Sequence, residues 1–298
     1  MSGTRSALRR RQGLIAWGLA APFTIVFTAF MMGPLLSSLA MSFTDFTSRD
    51  VRSPLAVNVV GLQQYAALFA DPRFVRSLLV TGIFVLVGIP VTMLVALALA
   101  VALNTGIGRL RTFFRVGFYA PTVTSIVAVS VVWRYILQPK GLLNTVLGWF
   151  GIPGPNWLHD PAWALPALLL MAVWRNVGTL MIIFLAGLQA VPREVQEAAI
   201  VDGASPLRRL VSITLPILRP TLLLGAVLIS VGYLQFFEEA YVLTQGGPLG
   251  ATTSAAFYIF EQFGFGKYAT GAAGSYVLFL AIALVSLLQF RLFRSRDV

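Results

Sequence analysis

Arg175 is the only charged residue between Asp160 and Arg193, in an otherwise apolar run that includes LLLMAVWRNVGTLMIIF. A cation in hydrocarbon costs roughly 2.5 to 3.5 kcal/mol on insertion scales, so this guanidinium must face water or an acidic partner rather than lipid. Its carboxylate counterparts in apolar sequence are Glu238 and Glu239, toward the outer end of the fifth apolar stretch. Two readings stay open: Arg175 pairs with a glutamate or lies at a helix interface, or these groups line a path for a polar substrate. Other reactive groups are scarce. His159 is the single histidine and lies in an outer loop, and cysteine is absent. His-pair zinc sites, Ser-His-Asp triads and thiolate chemistry are therefore unavailable. The GFGK stretch at 264–267 imitates a phosphate loop, but Glu261 stands at its first-glycine position and Tyr268 follows the lysine, so it cannot hold ATP as a Walker A loop would. No enzyme activity is expected.

The surroundings of these residues are membrane-like. The 298 residues are 57% hydrophobic and 11% charged, with a mean hydropathy of +0.82. Six stretches, at about 14–41, 76–104, 116–137, 162–188, 221–243 and 271–291, are long enough to cross roughly 30 Å of hydrocarbon as helices. Helices are expected because open strands would leave backbone groups unpaired in lipid, and the alternation of a β-barrel is missing. The fold class is therefore an all-α polytopic membrane protein with six transmembrane helices. It divides into a basic tail at 1–13, a single membrane domain at 14–291 and a second tail at 292–298.

Basic residues choose the orientation. Arg5, Arg9, Arg10 and Arg11, then Arg109, Arg111 and Arg115, then Arg193, Arg208, Arg209 and Arg219, and finally Arg291, Arg294 and Arg296 make fourteen of the 22 Lys and Arg on one side. By the positive-inside rule both termini and the 191–220 connection are cytoplasmic. The uncharged run from Gln12 to Thr44 exceeds a signal-peptide h-region, so an uncleaved first helix is expected. The net charge of +11 sits beside apolar spans, where arginines meet anionic membrane lipid, and does not point to nucleic acid.

The connection itself, VPREVQEAAIVDGASPLRRLVSITLPILRP, is polar and helix-patterned. Pro192 suits a first turn, Glu194 and Glu197 complement the positive end of the helix dipole, and Gly203 fits a terminator. Ser205 then caps a second helix with Pro206 at its first position. Ala198 and Ala199 are small enough for another surface to approach. An amphipathic helix could simply lie on headgroups, but anionic lipid would repel Glu194, Glu197 and Asp202, so a protein partner is favoured.

These residues also resemble a known family. Glu197-Ala198-Ala199, Asp202-Gly203-Ala204, Ile213 to Pro216 and Pro220 look like the EAA loop of ABC importer permeases, closest to sugar permeases of the maltose and glycerol-phosphate type. VGLQQYAALFADPRF, FFRVGFYAP and YVLTQGGPLGATT are similar to that group as well, so the likeness runs from about residue 14 to the end; Leu210 departs from it, standing where relatives commonly carry an aromatic residue. The resemblance implies a coupling helix between the fourth and fifth spans, with Glu197, Ala198, Ala199, Asp202 and Gly203 docking on a cytoplasmic ATPase subunit. ATP and Mg would bind that partner, and no cofactor is expected in this chain. A second homologous permease and an extracytoplasmic substrate-binding protein would complete the assembly. By position, relatives place substrate contacts near Arg175, Asn176, Tyr233 and Phe236, although Tyr233 and Phe236 on an apolar helix also suit packing. The expected function is the permease subunit of an ATP-driven importer for a sugar, oligosaccharide or related polyol. The alternative is an ion-coupled carrier using Glu238 or Glu239.

Overall fold

The computed structural model of the protein describes the backbone of residues 2–53, 57–105 and 111–293, with side chains at all of these except 2–14, 105 and 293. Arg109, Arg294 and Arg296 of the basic clusters lie outside the described residues, as do the side chains of Arg5, Arg9, Arg10 and Arg11. Contacts divide the chain into two compact units, residues 1–68 with 262–276 and residues 69–261 with 277–298.

In the first unit α1 (Ser2–Phe27) runs through a π-helical turn at Thr28–Met32 into α2 (Gly33–Met41). The basic stretch at 1–13 is thus helical from Ser2 and forms the leading turns of α1. Trp17, Leu19, Phe23 and Phe30 are exposed, as suits a helix whose solvent is lipid. The following loop is pinned by an antiparallel bridge between Thr44 and Val59 and by Asp45, whose carboxylate accepts from the backbone and side-chain nitrogens of Asn58, both at 2.9 Å. The chain then enters α3 (Gln63–Ala70). Tyr276 closes this unit by donating to the Leu35 carbonyl at 2.6 Å.

The second unit is built around α4 (Pro72–Thr105), the pair α5 (Arg111–Val123) and α6 (Ile126–Ile136), the short α7 (Leu142–Trp149) and α8 (Pro161–Gln189). α8 starts where its sequence says it should, with Pro161 at the first position and the Asp160 carboxylate accepting from Ala162 N at 2.8 Å. It is the central element, packing on α4 and α5. Lipid is as apolar as leucine, so this packing is driven by close contact rather than by escape from water. Small residues supply it: Ala164, Ala167 and Ala172 of α8 and Ala96 and Ala100 of α4 are all fully buried. At Gly178 the α5 backbone comes so near that any Cβ would run into the Phe118 carbonyl oxygen.

Beyond α8 come α9 (Arg193–Val201) and α10 (Pro206–Arg209). A π-helical turn at Leu210–Thr214 then leads into α11 (Leu215–Ile217) and α12 (Arg219–Leu234). The chain continues through α13 (Glu238–Leu243) and α14 (Ala255–Gly264) into α15 (Tyr268–Phe293), which begins in the first unit.

Among the described residues four helices, Ile15–Met41, Pro72–Asn104, Pro161–Gln189 and Tyr268–Leu292, are long and apolar enough to cross a membrane, and two bent pairs raise the number to six if each pair counts as one span. The bends are corrections to two of the expected straight spans. The stretch at 116–137 breaks between α5 and α6 with an angle of 102°. Pro121 cannot donate to the Gly117 carbonyl, and Ser125 takes an extended ψ of 125°. The stretch expected at 221–243 begins earlier and ends earlier: Pro206–Ile217 and Arg219–Leu234 meet at 72°, where Pro216 and Pro220 each remove a donor. Its last residues, with Glu238 and Glu239, belong to the separate α13.

Candidate functional site

The polar connection folds as two helices joined by a tight turn. α9 follows Pro192, which lies outside the helix with ψ 136°. Its end is a Schellman cap: Ala204 N donates to Ala199 O and Gly203 N to Ile200 O, both at 3.0 Å, with Gly203 at φ +73°. Ser205 Oγ then accepts from Arg208 N at 3.4 Å to open α10. Gln196 and Ala199 turn inward. Gln196 Nε2 donates to Thr214 Oγ1 at 3.0 Å, and Thr214 donates in turn to the Arg209 carbonyl at 3.2 Å, fastening α9 to the helix after it.

The five expected docking residues are therefore gathered on one short element, but not all on one face. Glu197, Ala198, Asp202 and Gly203 are exposed, whereas Ala199 is 5% exposed and packs inside the chain. Of the two small residues only Ala198 offers surface. Sequence reading missed the apolar part of this face: Ile200, Val201 and Leu207 are exposed at 56%, 86% and 70% beside the acids. Apolar side chains flanked by carboxylates suit a protein surface better than a headgroup layer.

The residues expected to line a path lie deeper. Arg175 and Asn176 are half-buried on α8. Asn176 Nδ2 donates to the Ala172 carbonyl at 2.8 Å, and Thr122 of α5 donates to the Arg175 carbonyl at 2.8 Å. Arg175 forms no ion pair among the described residues, and its Nε is buried without an acceptor. Glu239 is nevertheless within its electrostatic reach, as is the Tyr233 hydroxyl. Glu238 is exposed, but Glu239 is 5% exposed, because α13 packs on α6 and α8 and turns Glu239, Ala240 and Leu243 inward.

Tyr233 and Phe236 are core residues in this conformation, each 3% exposed. The Phe84 ring of α4 stacks on Phe236 at 3.9 Å and meets Tyr233 edge-on at 5.1 Å. The Tyr233 hydroxyl lies 2.8 Å from Thr92 Oγ1, whose own proton goes to the Gly88 carbonyl at 2.7 Å, so Tyr233 donates. A Cβ at Gly88 would come within 2.6 Å of the tyrosine ring. The structure therefore brings Arg175, Asn176, Tyr233 and Glu239 into one polar group and adds Thr92, which sequence reading passed over; a threonine midway along an apolar span was the available signal. His159 is exposed in its loop, 3.2 Å from Asn156 Oδ1. The GFGK stretch makes a turn between helices, Lys267 N donating to the Gln262 carbonyl at 2.9 Å.

With this geometry in hand the chain can be set beside known proteins. It is 34% identical to the lactose transport system permease protein LacF of Rhizobium radiobacter, over 98% of each chain. It is 32% identical to the trehalose/maltose transport system permease protein MalF of Thermococcus litoralis, over 98% of this chain and 97% of that one. Among solved structures, a chain of a bacterial ABC transporter involved in the import of the acidic polysaccharide alginate matches with a TM-score of 0.81 over 99% of this chain and 100% of its own, at 23% identity. The fold is thus that of ABC importer permeases. Residues 64–296 match the family described as the binding-protein-dependent transport system inner membrane component. The chain belongs to that family, and its place is the inner membrane.

Proposed function

We propose that the chain is one of two permease subunits of an ATP-driven importer that carries a sugar, oligosaccharide or related polyol. The observation that carries this reading is the outer face of α9 and its cap, where Glu197, Ala198, Asp202 and Gly203 stand beside exposed Ile200, Val201 and Leu207. Such a face fits a groove on a cytoplasmic ATPase, and Ala199 supports it from behind. ATP and Mg act on that separate chain, and ATP binding favours the outward-facing state through its preference for that geometry. An extracytoplasmic binding protein delivers the substrate. The names of relatives, which include lactose and trehalose/maltose permeases, favour a carbohydrate. Both termini and α9 lie on the cytoplasmic side, in line with the arginine distribution.

Arg175 and Asn176, half-buried and polar, reach the path at the boundary with the second permease. Tyr233 and Phe236 enter it only when α12 draws away from Phe84 of α4. The deciding experiment is uptake into vesicles holding the assembled transporter. Uptake of labelled sugar that survives collapsed ion gradients and stops without ATP is expected. Gradient-driven uptake without ATP would favour an ion-coupled carrier, a reading that membership of a binding-protein-dependent family leaves without support.

A further inference from the structure

A crevice of about 820 Å³ opens where α4 ends, α5 begins and α8 passes into α9. Arg111, Arg193 and Arg209 line it, with no aspartate or glutamate among the described residues of its wall. None of the three forms an ion pair among the described residues. Arg111 donates from Nη2 to the Asn104 carbonyl at 3.1 Å, yet its Nε and that of Arg209 are buried with no acceptor among the described residues. Buried donors without partners are rare in folded proteins and mark places where a further group belongs. Leu188, Leu207 and Leu210 make up part of the remaining wall.

We propose that this crevice binds the phosphate of an anionic phospholipid of the cytoplasmic leaflet. Three guanidiniums give a phosphate the planar, charge-assisted donors it prefers. The site lies at the last turns of α4 and α8, at the level where a span meets the headgroups. Basic pockets between helices at that level select anionic headgroups. Leu188 and Leu210 extend beside the glycerol and upper acyl chain, a contact that a free phosphate leaves unused. An arginine that merely snorkels from a span end keeps its head in water. Here two arginines bury their Nε in a wall shared with α9 and α10, so the lipid braces the segment that carries the docking face. Only the choice of leaflet rests on the orientation given above, and binding can be read without it.

The test uses the purified full-length chain in neutral detergent, with native mass spectrometry counting retained phosphatidylglycerol against phosphatidylcholine. Wild type is expected to retain the anionic lipid selectively. Arg193→Gln with Arg209→Gln should weaken retention about thirtyfold. Arg193→Lys with Arg209→Lys, which keeps the charge, should retain most of it, and Arg291→Gln, a span-end arginine outside the crevice, should change nothing. Equal retention of both lipids, or equal loss with Arg291→Gln, overturns the proposal. Displacement of phosphatidylglycerol by millimolar inorganic phosphate would overturn the lipid assignment and give the site to a soluble anion. If the glutamine pair fails to fold, the lipid selectivity of wild type and the lysine pair still decide.

Discussion

Gly203 offers the sharpest test of the docking face, because the structure separates the causes by which a substitution there could act. A Cβ at this position meets nothing within 4 Å, so alanine brings no clash. The φ of +73° does matter. An alanine held in left-handed space costs about 1 to 2 kcal/mol, which shifts the balance against the native turn about five- to thirtyfold. Asparagine tolerates that region better and should cost less. Aspartate adds a negative charge at the negative end of α9, roughly 0.3 to 1 kcal/mol against the helix, and sits next to Asp202 on the exposed face.

These penalties are small beside the packing of the membrane domain. Folded yield and helix content should therefore stay at wild-type level in all three variants, while ATP-driven uptake falls in the order Asn, Ala, Asp and is abolished in Gly203→Asp. The assay pairs uptake in vesicles with the substrate-stimulated ATPase of the assembled complex. Wild-type uptake in both Gly203→Ala and Gly203→Asp would refute the docking role of this turn. Loss in Gly203→Asp alone, with alanine unaffected, would refute the strain argument and leave charge as the cause.

Three further outcomes follow from the same geometry. Arg175→Ala removes an insertion cost of about 2.5 to 3.5 kcal/mol, so folded yield should hold or rise while uptake falls; uptake and folded protein falling together would show that Arg175 only holds the fold. Gly178→Ala must push α5 from α8, since the new Cβ would stand 2.8 Å from the Phe118 carbonyl carbon and 2.9 Å from Tyr119 Cα; thermal unfolding in detergent should register about 1 to 3 kcal/mol of destabilisation. Asp71 should supply an acid limb to stability. Burial acts to raise its pKa, but the hydrogen bond from Tyr258 at 2.7 Å, the Arg73 backbone N–H at 2.8 Å and the Arg73 charge outweigh it and hold the carboxyl below its ordinary value. Stability from this group is thus full above about pH 4 and lost as pH falls through the lowered pKa. Melting curves against pH should show that limb in wild type and not in Asp71→Asn.

Local chemistry made parts of this structure readable in advance. The Asp160-Pro161 start of α8, the Gly203 cap and the Ser205-Pro206 start of α10 all depend on residues within one turn of the feature they create, so the sequence carries them directly. The bends were harder. Hydropathy sums over a window and cannot see that Pro121 and Ser125, or Pro216 and Pro220, end one helical axis and begin another. Side-chain direction was harder still. Ala198 and Ala199 read alike, yet the first is exposed and the second buried, because Gln196 and Thr214 fix the rotation of α9. Glu239 is buried because α13 leans on α6 and α8, partners far away in sequence.

The same distinction bears on how α4 and α12 can separate. What joins them, beside apolar contact that lipid could replace, is the Tyr233–Thr92 hydrogen bond and the stack of Phe84 on Phe236, two residues beyond the end of α12. A side-chain hydrogen bond between membrane helices averages about 0.6 kcal/mol, and an aromatic pair adds about 0.5 to 1.5 kcal/mol beyond its area. Their sum, about 1 to 2 kcal/mol, lies within the few kcal/mol that divide two states of a switching protein, and a partner's differential affinity can supply that much. Close approach at Gly88 lets the tyrosine seat fully, so the closed arrangement is well defined without being strongly held. Tyr233→Phe removes the hydrogen bond and keeps the ring. It should therefore bias the resting population toward separation of α4 and α12 at little cost in folded yield, seen as a longer distance between spin labels at exposed Leu94 of α4 and Leu228 of α12 than in the same labelled chain with Tyr233. Equal distances would show that the aromatic stack, and not the hydroxyl, sets the closed state.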